Sequence, residues 1–180
     1  QKALDTLTRY GADALIVVGG DGSFRGARDL VKCGVQVVGI PGTIDNDIAC
    51  SEYTIGYDTA VNTAIEMIDR LRDTAQSHER CSVIEVMGRH CGNIALSAGI
   101  ATGATAILVP EIEFDYEKDV LDRIAFTRSN GKRHFIVVAS EGIFKQPDSR
   151  FASSEAMAAA ISEDSGIPAR TTVLGHVQRG

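Results

Sequence analysis

The chain alternates short apolar runs with segments of helical periodicity, and this alternation constrains its fold more than any other feature. The run at 35–40 is almost continuously apolar, which is typical of a buried parallel strand. Helical segments between such strands predict βαβ units, in which helices cover both faces of parallel sheets. The predicted strands are 14–18, 35–40, 82–87, 105–109, 134–139 and 170–174, and the predicted helices are 2–10, 23–33, 58–76, 92–101, 116–129 and 153–165.

The composition is that of an ordinary globular protein, with 44% hydrophobic and 23% charged residues among 180. The net charge of −6 argues against a partner such as nucleic acid or an anionic membrane. The four cysteines show no C-x-x-C spacing, so we expect reduced thiols in a cytoplasmic protein. We recognise no signal peptide or apolar stretch of membrane length.

A long helical segment at 58–76 restarts the pattern after the first two strands and predicts a boundary between two lobes near residue 57. Because small ligands commonly bind between domains, we expect an active cleft between these lobes. Lys2 already lies in a helical pattern, and Gly180 falls within a glycine-containing loop. We therefore expect the chain to be part of a longer protein.

The loop Pro-Gly-Thr-Ile-Asp-Asn-Asp at 41–47 places two carboxylates, Asp45 and Asp47, just past a predicted strand. Open α/β sheets bind their ligands at such carboxyl ends. A carboxylate pair suits chemistry in which one group takes a proton from a hydroxyl while the other lies near a metal–phosphate. The same residues are also typical of an Asx-rich turn, and this loop alone does not separate the two interpretations.

The loop Gly-Gly-Asp-Gly-Ser at 19–23 joins a predicted strand to a predicted helix. In that arrangement, backbone N–H groups and a helix N-terminus face an anion. Asp21 would repel a bare phosphate, so it indicates a nucleotide bound with Mg²⁺. The loop lacks the Gly-Lys-Ser/Thr ending of a Walker motif, and a plain glycine-rich turn is the alternative.

Three further predicted strands end in glycine beside charged or hydrogen-bonding residues. Met-Gly-Arg-His-Cys-Gly at 87–92 joins a strand to a helix and therefore suits an anionic ligand. The others are Ser-Glu-Gly at 140–142 and Leu-Gly-His-Val-Gln-Arg-Gly at 174–180. We expect His176 to contact a ligand and His134 to be structural or exposed.

Some of these polar residues also have simple structural explanations. Glu141 would suit the capping of the next segment, and Arg170 would suit a solvated strand start. Arg80 lies where the helix dipole favours a cation. No His and Cys spacing is typical of zinc, so we expect no transition metal.

Together, the loops at 19–23, 41–47, 87–92 and 174–180 resemble those of the 6-phosphofructokinase family in its bacterial, ATP-dependent form. The resemblance extends over essentially all 180 residues, in the family's order and spacing. The first loop alone is also similar to loops of diacylglycerol kinases and NAD kinases. Its combination with the second loop is highly specific.

The resemblance implies a two-lobed α/β fold with mainly parallel sheets flanked by helices, incomplete at both ends. Residues 1–56 would be part of the ATP-binding lobe, and 57–176 would be the sugar-phosphate-binding lobe. Residues 177–180 would start the return to the ATP-binding lobe. Because part of that lobe is absent, we expect this chain alone to be inactive.

The resemblance implies transfer of the ATP γ-phosphoryl group to the 1-hydroxyl of fructose 6-phosphate, with Mg²⁺ as cofactor. Asp45 would be the general base, Thr43 would touch the transferring group, and Asp47 would support the metal side. Arg89 would face the phosphoryl oxygens, and Asp21 would point toward Mg²⁺. The residues that hold the ATP phosphates would be Gly20, Asp21, Gly22 and Ser23.

The resemblance also implies a site for the sugar phosphate in a homo-oligomer, a tetramer in the family. Arg80 and Arg170 would reach into the site of a neighbouring subunit, and His176 and Arg179 would hold the 6-phosphate. The residues that bind the sugar would be Met87, Gly88, Arg89 and Glu141.

The resemblance further implies an effector site at Arg72, Gly103, Thr105 and Lys132. Thr105 stands where well-known bacterial members carry a metal-chelating glutamate. We therefore expect weak or absent activation by ADP.

Two rival functions remain at this point. Pyrophosphate-dependent phosphofructokinases typically carry aspartate in place of Gly22 and lysine in place of Gly42, so these glycines favour ATP. The other rival is a non-catalytic fragment or binding module of the same fold. The presence of Asp21, Asp45 and Arg89 counts against an inactivated homologue.

Overall fold

The computed structural model of the chain describes residues 2–180. Contacts divide the chain into two compact units, the first ending at Gly56 and the second spanning Tyr57–Gly180. Gln1, which the predicted first lobe includes, lies outside the described residues. The assignment of the units as ATP-binding and sugar-phosphate-binding lobes stays a prediction.

The first unit is built on two parallel strands. Its elements are α1 (Lys2–Tyr10), β1 (Ala14–Gly19), α2 (Asp21–Lys32) and β2 (Gln36–Pro41). β1 and β2 pair from Ala14 opposite Gln36 to Gly19 opposite Pro41. α2 packs against both strands and buries Ala27, as expected for the helix of a right-handed βαβ unit.

The second unit is a four-stranded parallel sheet with the strand order β4-β5-β3-β6. β5 is buried throughout, and β3 is buried except for the half-buried Glu85. Such near-continuous apolar strands arise because helices cover both faces of the sheet. The elements are α3 (Tyr57–Ser77), β3 (Cys81–Val86), α4 (Asn93–Thr102), β4 (Ala106–Leu108), α5 (Asp122–Ser129), β5 (Phe135–Ser140), α6 (Ser154–Ser165) and β6 (Ala169–Val173).

Alternate residues of the strands build the main core of this unit. Val83 of β3 and Val137 of β5 pack with Met157 and Ile161 of α6, and all four are fully buried. Burial of each such side chain contributes about 1.5–3 kcal/mol. Ile68 of α3 is also fully buried, so one face of this helix packs against the protein interior.

Both ends of α6 carry residues typical of helix caps. The Ser153 hydroxyl accepts a hydrogen bond from the Ala156 N–H group at 3.3 Å, which is an N-cap. Gly166 ends the helix with φ of 68°, a left-handed conformation that favours glycine.

The structure differs from the sequence predictions in several bounds. The helix predicted at 116–129 begins with a π-helical turn, Glu117–Leu121, before α5. Two 3-10 helices, Glu141–Lys145 and Gly175–Arg179, occupy segments predicted as loops. Single 3-10 turns are too short for hydrophobic periodicity to reveal them.

The four cysteines are all free thiols. Cys81 and Cys91 are buried, whereas Cys33 and Cys50 are exposed. Burial raises the pKa of the Cys81 thiol to about 12, so this thiol is inert near neutral pH. Within residues 2–180, no helix combines the length and apolar character needed to cross a membrane.

Candidate functional site

Two loops lie side by side at the carboxyl end of the sheet in the first unit. β1 and β2 run in parallel to Gly19 and Pro41, so the segments that follow leave the sheet at the same edge. The Gly42 N–H group donates to the carbonyl oxygen of Gly19 at 3.0 Å. A Cβ atom at Gly20 would stand 3.1 Å from the Cβ atom of Thr43, so the lack of a side chain permits this close approach.

The N-terminus of α2 points its first N–H groups into this region. The helix begins at Asp21, and its N-cap residue, Gly20, provides no side-chain cap. Asp21, Gly22 and Ser23 therefore lie in the first helical turn, two residues earlier than the predicted start. Uncapped N–H groups and the helix dipole favour a bound anion at this position.

A clamp of hydrogen bonds shapes the loop that carries Asp45. The Thr54 hydroxyl donates to the Thr43 carbonyl oxygen at 2.6 Å, and Asn46 Oδ1 accepts from the Thr54 N–H group at 2.9 Å. Asn46 has a φ of 52°, a left-handed conformation that asparagine tolerates better than most residues. The clamp leaves Asp45 half-buried and Asp47 exposed.

The residues of the first unit fit magnesium only as part of a nucleotide complex. Among residues 2–180, no group of three or more His, Cys, Asp or Glu side chains could hold a metal ion. Asp21 offers one carboxylate, which forms an exposed ion pair with Arg25 at 2.6 Å. Magnesium in nucleotide sites usually takes one or two protein carboxylates and several phosphate or water oxygens. A single carboxylate at Asp21 is therefore sufficient for Mg²⁺ that the phosphates carry.

Three loops of the second unit leave one edge of its sheet. Val86 of β3 pairs with Ser140 of β5, and Glu85 pairs with Val173 of β6. The residues that follow these positions are therefore neighbours at the carboxyl edge. The predicted sugar-phosphate residues that lie on these three loops are Met87, Gly88, Arg89, Glu141, His176 and Arg179.

The loops after β3 and β5 pack backbone against backbone. The hydroxyl of the fully buried Ser140 donates to the Gly88 carbonyl oxygen at 2.6 Å, and the Gly142 N–H group donates to the same oxygen at 3.1 Å. Gly88 has a φ of 134°, and a Cβ atom there would stand 2.7 Å from Ser140 Oγ. A Cβ atom at Gly142 would overlap the carbonyl group of Arg89. Both positions therefore require glycine.

The exposed Arg89 borders a cavity of about 330 Å³ beside these loops. Glu111 also lines this cavity, and its Oε1 atom accepts from the Gly92 N–H group at 2.8 Å at the start of α4. Lys145 lines the cavity as well and forms an ion pair with Glu141, four residues earlier. The cavity is thus lined by the exposed cation of Arg89, the paired cation of Lys145 and the hydrogen-bonded carboxylate of Glu111.

The 3-10 helix after β6 presents two exposed basic side chains. His176 and Arg179 point to solvent, while Leu174 and Gln178 are buried. The buried pair anchors the turn and leaves the basic pair accessible. An accessible imidazole and a guanidinium on one short turn suit a phosphate monoester.

The structure separates Arg80 and Arg170 from the other predicted sugar-phosphate residues. Arg80 directly precedes β3 and Arg170 is the second residue of β6, so both lie at the amino-terminal edge of the sheet. Within the described part of the chain, neither forms a salt bridge. Their predicted role in the site of a neighbouring subunit stays a prediction.

The predicted effector residues also cluster at the amino-terminal edge. Arg72 donates to the Thr102 carbonyl oxygen at the end of α4, and Gly103 follows with φ of 62°. The Thr105 N–H group donates to the Ile136 carbonyl oxygen at 2.7 Å. Its hydroxyl accepts from the Ile136 N–H group at 3.2 Å, so this oxygen is already engaged with the sheet.

His134 lies beside this cluster and is half-buried rather than fully exposed. Burial lowers its pKa, and the charges of Arg72 and Lys132 lower it further. The imidazole is therefore neutral near pH 7, and the positive potential of the cluster comes from the other two side chains. An effector role for the cluster stays a prediction.

Three buried polar side chains that organise these loops were not predicted. They are Thr54, Ser140 and Gln178. Ser140 is the last residue of the otherwise apolar strand β5. A hydroxyl at that position is a weak sequence signal that a loop packs against the end of the strand. Thr54 and Gln178 carry no local signal, because their partners Thr43 and Met87 belong to other segments of the chain.

Comparison with known proteins agrees with this arrangement of loops. The family model described as phosphofructokinase matches residues 1–180, so the chain belongs to the phosphofructokinase family. It is 52% identical over 180 residues to ATP-dependent 6-phosphofructokinase 1 of Clostridium perfringens, covering all of this chain and 54% of that protein. The chain thus spans about half the length of the curated relatives it matches.

Solved structures of the same family share this fold. The phosphofructokinase of Saccharomyces cerevisiae is 37% identical with a TM-score of 0.83, over 97% of this chain and 26% of that one. A pyrophosphate-dependent phosphofructokinase of Nitrosospira multiformis is 25% identical with a TM-score of 0.78, over 98% of this chain and 48% of that one. The same fold thus occurs in a phosphofructokinase named as pyrophosphate-dependent, so the fold alone does not determine the phosphoryl donor.

The clamp around Asp45 is testable through Thr54. Thr54→Val removes the hydroxyl but keeps the volume, so the Thr43 carbonyl oxygen loses a buried donor. We expect a loss of about 1–3 kcal/mol in the free energy of unfolding, measured by urea denaturation of the full-length protein. Amide hydrogen exchange at 43–47 should also become faster. Thr54→Ser keeps the hydroxyl and is the matched control; equal stability and exchange in the two variants would contradict the clamp.

Proposed function

We propose that this chain carries the donor-binding and acceptor-binding parts of an ATP-dependent 6-phosphofructokinase. The reaction is transfer of the γ-phosphoryl group of ATP to the 1-hydroxyl of fructose 6-phosphate. The observation that carries the proposal is the contact between the uncapped N-terminus of α2 and the loop that bears Asp45, where Gly20 meets Thr43. The similarity to relatives named ATP-dependent 6-phosphofructokinase supports it.

In this proposal the first unit binds the donor. The N–H groups of Gly20 to Ser23 and the α2 dipole hold the phosphates of ATP. Mg²⁺, bound with the nucleotide and near Asp21, would neutralise charge on the phosphoryl oxygens. Thr43 then contacts the phosphoryl group being transferred, and Asp47 supports the metal side.

Asp45 acts as the general base. Its carboxylate takes the proton of the 1-hydroxyl as that oxygen forms its bond to the γ-phosphorus. The bond between the γ-phosphorus and the β,γ-bridging oxygen breaks, and ADP leaves with the electron pair. Such transfer depends on placement and charge neutralisation, and Arg89 supplies a cation for the transferring oxygens.

The second unit binds the acceptor. Met87, Gly88 and Glu141 hold the sugar, while His176 and Arg179 bind the dianionic 6-phosphate. These residues lie on three loops that the sheet holds at one edge. The placement of cations on these loops explains how a chain with a net charge of −6 binds a sugar phosphate.

The base assignment is tested by Asp45→Asn in the full-length protein. The amide has the same shape but cannot accept the proton, so kcat should fall by at least about 100-fold. The KM values for ATP and fructose 6-phosphate should change far less, since binding contacts remain. Asp29→Asn, which alters an exposed carboxylate paired with Lys32 on α2, is the control and should leave kcat unchanged. Near-normal kcat in Asp45→Asn would reject the assignment.

Donor choice is tested at Gly22. No atom lies within 4 Å of a Cβ atom added at Gly22 or at Gly26, so both sites on α2 accept a side chain. Gly22→Asp would place a negative charge among the donor phosphates and should lower kcat/KM for ATP by at least about 100-fold. Gly26→Asp is the matched control and should have little effect. The unaltered protein should be almost inert with pyrophosphate, and comparable turnover with both donors would favour the pyrophosphate-dependent alternative.

Subunit sharing is a further part of the proposal. Arg170 is exposed at the sheet edge opposite to the loops that carry His176 and Arg179, so it would complete the site of another subunit in a homo-oligomer. Mixing Asp45→Ser with Arg170→Ser full-length protein should therefore restore some activity in hybrid oligomers. Mixing Asp45→Ser with Asp45→Asn should restore none. Absence of recovery despite demonstrated subunit exchange would argue that each subunit holds a complete site.

A further inference from the structure

Gln178 is a polar residue of the 3-10 helix that carries the proposed phosphate ligands. Its side chain is fully buried, whereas His176, Val177 and Arg179 around it are exposed. Burying an amide is unfavourable unless its donor and acceptor are both satisfied. Its hydrogen-bond partners therefore indicate the structural role of this side chain.

The amide of Gln178 connects two loops that are far apart in sequence. Its Oε1 atom accepts from the Met87 N–H group at 3.4 Å, and its Nε2 atom donates to the Gly175 carbonyl oxygen at 3.0 Å. Met87 follows the last residue of β3, so this N–H group lies beyond the strand ladder. The same side chain thus satisfies the end of β3 and the start of the 3-10 helix.

A glutamine amide is suited to this position because it offers a donor and an acceptor at the end of a flexible stem. An ionised glutamate keeps the acceptor for Met87 but has no donor for Gly175. A methionine has similar length but provides neither group. These differences allow each half of the bridge to be tested.

We propose that Gln178 is a positioning residue that couples the loop 87–89 to the turn bearing His176 and Arg179. The bridge holds the sugar-binding and phosphate-binding groups at a fixed separation before substrate arrives. Ligand binding then requires a smaller loss of conformational entropy in the two loops. This inference rests on the proposed function, and Gln178 itself touches no substrate.

The first test compares Gln178→Met with Ser162→Ala in the full-length protein. Ser162 is a matched control because its hydroxyl also joins two segments, accepting from the Ala169 N–H group and donating to the Ala158 carbonyl oxygen, both at 2.9 Å. Gln178→Met should raise the KM for fructose 6-phosphate about tenfold or more and leave the KM for ATP within about twofold. Ser162→Ala should lower the Tm but leave both KM values unchanged.

The second test uses Gln178→Glu, which also serves if the methionine variant does not fold. Burial raises the pKa of a carboxyl group, and the protonated acid regains a donor for the Gly175 carbonyl oxygen. The ratio of its KM for fructose 6-phosphate to that of the unaltered protein should therefore fall between about pH 8 and about pH 6. A ratio that does not change with pH would overturn the role of the donor.

Hydrogen exchange separates this inference from the proposed function. Without substrate, Gln178→Met should exchange faster at 87–92 and at 175–179, whereas Ser162→Ala should not. Faster exchange with an unchanged KM would overturn the positioning role and leave the proposed function standing. Unchanged exchange would overturn the bridge itself. An unaltered protein that fails to bind fructose 6-phosphate would overturn the proposed function and this inference together, whatever the exchange shows.

Discussion

Parallel, in-register pairing of β5, β3 and β6 is the constraint on which the second unit depends. Because all strands run in the same direction, their carboxyl ends meet at one edge, and the loops that follow become neighbours. A slip of one residue in this register would turn each side chain to the opposite face of the sheet and would shift the loops that follow relative to one another. The same pairing places Arg80 and Arg170 at the other edge, where they cannot join the loops of their own sheet.

Close backbone packing fixes the loops that meet at this shared edge. Gly88 and Gly142 bring two loops together at distances that a side chain would prevent, and Ser140 satisfies the carbonyl oxygen that this packing buries. In the first unit, Gly20 permits a similar close approach to Thr43, and the Thr54 hydroxyl satisfies the Thr43 carbonyl oxygen. Buried polar groups of this type favour a single conformation because any alternative leaves a donor or acceptor unpaired.

The charge distribution is local rather than global. The chain has a net charge of −6, yet exposed basic side chains lie on the loops at the carboxyl edge and at the amino-terminal edge of the second sheet. In the first unit the attraction for an anion comes from the N–H groups of α2 and needs no lysine or arginine. The proposed binding of phosphorylated ligands would thus follow from where strands and helices end, which the total charge does not reveal.

The sequence by itself determined the alternation of strands and helices and the placement of each polar loop directly after a strand. These features follow from local periodicity and local propensity, so the predicted strand 14–18 and the observed Ala14–Gly19 differ by one residue. Only the tertiary structure decided the strand order β4-β5-β3-β6 and the partners of Thr54, Ser140 and Gln178. The bond from Gln178 to Met87 spans 91 residues, and no local pattern encodes a contact that exists only after two distant strands have paired.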